Sequence, residues 1–449
     1  MSHEKKFPPP AKLDTSDLEN PFLSSLPASP ANVSEAMNIL GDHSGEMYSL
    51  DNAPYSQEHL LARTDNVYCA TSVDGQILMR VMAAIRDSYR ERDLRRNAFL
   101  EIAYRANRTL HERNAVHPRH LVTLEQARTV NRASGDTDDI RVPNSRPRGL
   151  IVSAPLRMGR RTLAGLIENF IGVEYRPLII RLPNGNLQCI QLKVVRVNWP
   201  LDGTLRSFAL EFAEAIDRLT DGQSKYSRMF HHSMQSSGGL EVAMRCLALS
   251  ANVGAVLVER INIAQASTAE SRQTWDALAR LTRKTGIPVI SFATPGAVLQ
   301  GLGNCIDAFS DLTTLGVHEL LPATAPSSPH WTQLCRAHYD ATLAPIADNE
   351  MPEWLAPLLH ELTLGRKGLV AMIMNHIGMT LLEFSLRSLE ETHFRKYAQA
   401  AIEHYAPALE AVDLVAKRAP VTPSSLRRFG DMFTSKQATL LRVRPLLDI

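Results

Sequence analysis

The sequence predicts an α/β fold: a parallel sheet with helical segments on either side of it in the chain. Short apolar runs alternate with amphipathic stretches from Gly149 to about Pro322, the pattern of strands joined by crossover helices. Outside that region helical spacing dominates. Residues 150–163, Leu-Ile-Val-Ser-Ala-Pro-Leu-Arg-Met-Gly-Arg-Arg-Thr-Leu, read strand, small-residue loop, helix, which is the outline of a phosphate-binding loop.

Taken in order, residues 1–35 are rich in Pro, Ser and Asn, with Pro8-Pro9-Pro10, and read as a disordered or loosely docked arm. Residues 36–147 read as a helical N-terminal segment. Leu78, Val81, Met82 and Ile85 recur at helical spacing, as do Phe99, Ile102 and Ala103. Its arginines (Arg86, Arg90, Arg92, Arg95, Arg96, Arg105, Arg108, Arg113) read as solvated faces paired with Asp87, Glu91, Asp93 and Glu112, or as phosphate contacts. Residues 148–330 form the α/β unit, with strands expected at 150–153, 191–197, 255–259, 289–292 and 316–320, and helices at 205–219, 240–249 and 275–281. Residues 331–415 are again helical, a lid with a glycine stop at Gly365. Residues 416–449 read as a basic tail carrying Arg427, Arg428, Lys436, Arg442 and Arg444.

At 449 residues the chain accommodates two or three domains, and 44% hydrophobic with 21% charged residues is ordinary for a globular protein. No apolar run reaches the roughly 18 residues of a membrane span, and no secretory leader is evident. Cys69, Cys189, Cys246, Cys305 and Cys335 are scattered, never spaced C-x-x-C, which argues for reduced thiols in a cytoplasm and against a zinc site. A net charge of +2 confines any nucleic-acid contact to local basic patches. His117, His120, His231 and His232 lack partners at metal-ligand spacing.

The phosphate-loop pattern is G-x-x-x-x-G-K-[ST]. Laid on Gly159, it puts Ala154 at the first glycine, Arg160 at the lysine and Arg161 at the magnesium-binding hydroxyl, with Thr162 one place late. Backbone N–H groups at a helix N-terminus hold phosphate whatever the side chains are. A second motif is Ala255-Val-Leu-Val-Glu259-Arg260. In an NTPase such a strand ends Asp-Glu, the metal ligand and the group that orients water. Here Glu259 takes the first place and Arg260, which cannot accept a proton, the second. Losing a positioned base costs on the order of 10²–10⁴ in rate. A third strand, 289–292, leads to Thr294, a hydroxyl at the strand's end that by itself carries little.

These stretches, with Val197-Asn-Trp-Pro-Leu-Asp-Gly-Thr204, Gly286-Ile-Pro-Val289, Thr294-Pro-Gly-Ala297, Pro352-Glu-Trp-Leu355 and Leu362-Thr-Leu-Gly365, resemble in order and spacing the TnsC/TniB-type AAA+ regulators of DNA transposition. The resemblance spans about residues 148–410. It implies an AAA+ P-loop NTPase-like fold with ATP at Ala154, Gly159, Arg160, Arg161, Thr162 and Thr294, and Mg held by Thr162 and Glu259. It also implies homo- or hetero-oligomers on duplex DNA that link a target selector to a transposase. The departures imply impaired hydrolysis: lysine, magnesium hydroxyl and Asp-Glu are all replaced, and Phe309-Ser-Asp-Leu-Thr-Thr314 stands where the family has paired arginines. Two alternatives stay open: an active but atypical ATPase with Glu259 as its catalytic group, and a scaffold that binds no nucleotide.

Overall fold

The computed structural model describes residues 20–41, 56–64, 67–114, 140–182, 185–220, 226–233, 237–347, 350–386 and 390–443. Before the sheet come α1 (Pro21–Ser24), α2 (Val33–Gly41), α3 (Gln57–Thr64), α4 (Ser72–Glu91) and α5 (Asn97–Asn114). The start of α1 is local chemistry: the Asn20 side chain accepts from the Phe22 N–H, and Pro21 fills the first turn. Phe22 and Leu23 are buried, and the Phe22 ring lies 5.2 Å from that of Tyr89 on α4. A loose arm over 1–35 is therefore wrong for residues 20–35. Three apolar side chains, Phe22, Leu23 and Leu26, anchor a segment whose average composition is polar. Residues 1–19 lie outside the described residues.

A Thr71–Asp74 capping box starts α4, which buries Ile77, Leu78, Val81, Met82 and Ile85. Arg80 and Arg90 are exposed, as the solvated-face reading has it, but other charged residues of this stretch turn toward the protein. Asp87 and Glu91 each accept from Arg148 at 2.8 Å, across the gap to the sheet. Arg86 donates to the Pro27 carbonyl at 2.6 Å, and Arg92 is fully buried against the Tyr89 ring. Arg95 pairs with Asp93 as expected at 2.6 Å. The side chain of Glu112, and His117 and His120, lie outside the described residues.

The α/β unit runs β1 (Gly149–Ser153), α6 (Arg160–Ile171), β2 (Arg176–Leu182), β3 (Gly185–Gln191), β4 (Val194–Asn198), α7 (Leu205–Leu219), α8 (Tyr226–Ser233), α9 (Ser237–Ser250), β5 (Ala255–Ile261), α10 (Ile263–Ala266), α11 (Ser271–Thr285), β6 (Val289–Ala293), α12 (Pro295–Gln300), α13 (Ile306–Leu312) and β7 (Val317–Glu319). The main sheet is parallel throughout, in the order β4-β5-β6-β1-β7. Strand β6 stands between the phosphate-loop strand β1 and the acidic strand β5, which is the sheet order of AAA+ ATPases. The fold is thus α/β of the P-loop NTPase-like kind. All five strands end at one edge, where loops of open α/β sheets hold ligands.

Two sequence readings change. The strand expected at 191–197 is a boundary: β3 ends at Gln191 and β4 begins at Val194, and Leu192 turns between them with its carbonyl on the Gly254 N–H at 2.8 Å. Strands β2 and β3 pair as an antiparallel hairpin that the periodicity did not indicate.

After the sheet come α14 (Pro329–Thr342), α15 (Ala344–Ala347), α16 (Leu355–Thr363), α17 (Lys367–Glu383), α18 (Glu391–Ala401), α19 (Ala406–Ala416), α20 (Pro423–Arg428), a 3₁₀ turn (Gly430–Met432) and α21 (Ser435–Val443). They bury a second core containing Trp331, Leu359, Ile373, Phe394 and Phe433. The stretch read as a basic tail contributes Leu426, Met432, Phe433 and Ala438 to that core, so it is built in rather than trailing; Arg444 lies outside the described residues. Helix α3 packs on the same bundle, with Leu60 fully buried beside Gly378. Among the described residues no helix is long and apolar enough to cross a membrane. All five cysteines are free thiols.

Candidate functional site

The C-terminal edge of the sheet gathers the residues that the motifs single out. Ala154 follows β1, and its N–H donates to the Ala293 carbonyl of β6 at 3.0 Å. The loop then passes through Arg157, at φ 67° a strained conformation for a non-glycine, and Gly159, at φ 76°, where α6 begins. Arg160 opens α6 and reaches across to β5, donating to the Ile261 carbonyl at 3.3 Å. Glu259 and Arg160 are close enough to feel each other's charge, so the first two motifs share one edge.

The loop is already occupied by the chain's own groups. The Leu156 N–H donates to the Asp431 carbonyl at 2.9 Å. The Asp431 carboxylate accepts from the Ile263 N–H at 3.0 Å and from the Thr294 hydroxyl. On the other side the Gly368 N–H donates to the Arg157 carbonyl at 2.8 Å, and Arg366 is buried with its guanidinium on the Met432 carbonyl at 2.8 Å. The 3₁₀ turn thus takes one N–H of the loop on the Asp431 carbonyl and the Thr294 hydroxyl beside it on the Asp431 carboxylate. Burial pushes the Arg160 guanidinium down to about 10, while Asp431 and Glu259 pull it back up. Burial likewise raises the Asp431 carboxyl, opposed by the Thr294 hydrogen bond.

Thr294 is fully buried and caps α12 through the Ala297 N–H at 3.4 Å. Its hydroxyl already donates to Asp431, so it faces no open phosphate position. Thr162 is exposed on α6. Glu259 is 3% exposed and held by Arg196 at 2.8 Å, and Arg196 also grips Glu168 at 2.9 Å. Burial raises the Glu259 carboxyl, and Arg196 opposes the rise. Among the described residues no group of three or more His, Cys, Asp or Glu is placed to hold a metal ion. Of the two residues expected to hold magnesium, Thr162 is exposed and Glu259 is buried against Arg196.

Sequence reasoning missed Asp431 and Lys367. Lys367 is the first residue of α17, and its Cε lies 3.0 Å from where a Cβ on Gly159 would stand. Its ammonium donates to the Tyr68 hydroxyl at 3.0 Å and lies 3.8 Å from the buried Asp74 carboxylate. Burial lowers the Lys367 ammonium, and Asp74 opposes the fall. A usable signal was present: Arg366 and Lys367 put two cations at a helix start, against the dipole, where they cost rather than contribute stability. Asp431 carried no signal beyond being an acid in a basic stretch.

No protein-family model matches the chain, and no curated protein matches it. Among solved structures, the chain is similar to a Walker-type ATPase of Pyrococcus abyssi at 13% identity, covering 66% of this chain and 91% of that one, with a TM-score of 0.40. It is also similar to the ORC2 protein of Aeropyrum pernix, solved as ADPNP–ADP complexes, at 15% identity over 67% and 73% of the two chains, with a TM-score of 0.36. The fold assignment stands on the strand order.

Proposed function

We propose that this chain is a regulatory AAA+-like protein that has given up ATP hydrolysis and acts by assembly, as an accessory component of a TnsC-type DNA transposition system. In that role it joins duplex DNA and a target-selecting protein to a transposase. The loss of hydrolysis rests on one observation above all: the Asp431 carboxylate and carbonyl occupy donors of the phosphate loop and its neighbours. Arg260, in the position of the base, cannot take a proton from water. ATP enters only by displacing the 430–432 turn, so a nucleotide acts here as a switch of that turn rather than as a fuel. The transposition role is supported by the ordered likeness of stretches between residues 148 and 410. The test is an electrophoretic shift of duplex DNA by the purified chain across a salt series. Binding through phosphate contacts weakens steeply with salt; no salt-sensitive shift, with or without ATP, refutes the DNA role.

A second reading, an atypical active ATPase, is favoured by Lys367, which brings an ammonium to Gly159 where the motif lacks its lysine. A third, a scaffold without nucleotide, is favoured by the filled loop. Thermal unfolding with and without Mg-ATP separates them: a ligand at a hundredfold over its dissociation constant stabilises by about 2.7 kcal/mol, and the scaffold shows none.

A further inference from the structure

Beside the loop, on its β4 flank, lies an open cleft that joins three motif residues, Arg161, Glu259 and Arg260, to Arg196, Asn198 and Arg218, which no motif singled out. Its walls come from α6, α7 and the ends of β4 and β5, and its volume is about 250 Å³. Arg161, Arg196, Arg218 and Arg260 line it together with Glu168, Glu259 and Asn198, so four guanidinium groups face two carboxylates. Both carboxylates are spent: Arg196 alone spans them, Nη1 on Glu168 at 2.9 Å and Nη2 on Glu259 at 2.8 Å. Four guanidinium groups against two carboxylates leave the cleft with a net charge of +2, and Arg161, Arg218 and Arg260 without a direct ion pair among the described residues.

Arg260 is placed there by backbone that costs energy. The β5–β6 register shifts between Val258 and Ile261, and Arg260 sits at φ 58°, a left-handed conformation that favours glycine. Without the bulge, strand alternation would carry the following residues to other faces. Strain of this kind persists where surrounding structure enforces it and clusters at ligand sites.

We propose that this cleft is an anion site for a compact phosphorylated small molecule, bound through a diphosphate or terminal phosphate group by Arg161, Arg218 and Arg260. Forked guanidinium groups suit phosphate oxygens, which they bind in bidentate fashion. The size argues for the compact class, since pockets that enclose drug-sized ligands run to about 300–1,000 Å³. The site is separate from the loop donors that Asp431 occupies and does not rest on the transposition role. It gives the chain a way to sense a phosphorylated metabolite although its phosphate loop is filled.

The test uses the full chain and magnesium-free sodium pyrophosphate, with inorganic phosphate and a short DNA duplex as parallel arms. Binding is followed by titration calorimetry. Arginine modification by phenylglyoxal, read by mass spectrometry, reports which side chains are shielded. Pyrophosphate is expected to bind, to shield Arg218 and Arg260, and to leave Arg395 on α18 reactive. Arg218→Ala and Arg260→Asn each weaken binding by about tenfold or more, and Arg395→Ala leaves it unchanged. Arg218 is exposed and asparagine tolerates the left-handed conformation, so both variants keep the fold. No binding of pyrophosphate to the wild-type chain, equal binding by both cleft variants, or shielding by the duplex alone overturns the proposal.

Discussion

Asp431 ties the phosphate loop to the helical bundle. Its carboxylate takes the Ile263 N–H and the Thr294 hydroxyl, its carbonyl takes the Leu156 N–H, and its charge supports the half-buried Arg160. Asp431→Ala leaves the Ile263 N–H and the Thr294 hydroxyl without a partner and removes one of the two anions beside Arg160, while its backbone carbonyl still takes the Leu156 N–H, at about 1–3 kcal/mol. The expected result is a lower urea midpoint at neutral pH with an unchanged slope. Arg160 and Glu259 were legible as degenerate motif positions because each follows an apolar strand by a fixed spacing. Asp431 was not, because its partners lie 137 and more residues away in the chain. Arg218 escaped for a related reason: a cation in the last turn of a helix is ordinary dipole chemistry, and only the packing of α7 beside β4 gives it a cleft.

At the scale of the element, the α13–β1 contact and the buried imidazole of α14 each make a prediction. A Cβ added to Gly149 would stand 2.1 Å from Leu312 Cα, inside backbone that cannot yield, so β1 and α13 can only meet through glycine. Gly149→Ala should destabilise by about 3 kcal/mol, the upper part of the range for overpacking, as measured by denaturant unfolding. His338 is 3% exposed, and burial pushes its imidazole down to about 4. An unfolded chain binds that proton near 6.5, so between about 6.5 and about 4 the unfolded state holds more protons than the fold. Stability attributable to this group is therefore complete above about 6.5 and falls with decreasing pH across that window, by on the order of 3 kcal/mol. His338→Leu should lose less stability than the wild-type chain between pH 7 and pH 5. The main strands and helices were legible because their apolar periodicity is strong, and α7 runs over the expected 205–219. The β2–β3 hairpin was not, although Asn184-Gly185 is a turn dipeptide, because its strands mix polar and apolar residues with only a partial buried face.

For the whole molecule, the two cores meet at the loop: Leu156 and Arg157 of the α/β unit bond to Asp431 and Gly368 of the helical bundle. Closing the loop is thus a property of how the bundle seats on the sheet. That is why the resemblance of separate stretches conveyed the fold but not the state of the pocket. Restoring the motif side chains does not reopen it, since Arg160→Lys with Arg161→Thr leaves Arg260 and the 430–432 turn in place. The decisive measurement is phosphate release from Mg-ATP by the purified full-length chain, alone and with duplex DNA, beside that double variant and Arg160→Ala. A closed, hydrolysis-incompetent loop predicts background rates in all of them. Turnover by the wild-type chain that Arg160→Ala abolishes would contradict it.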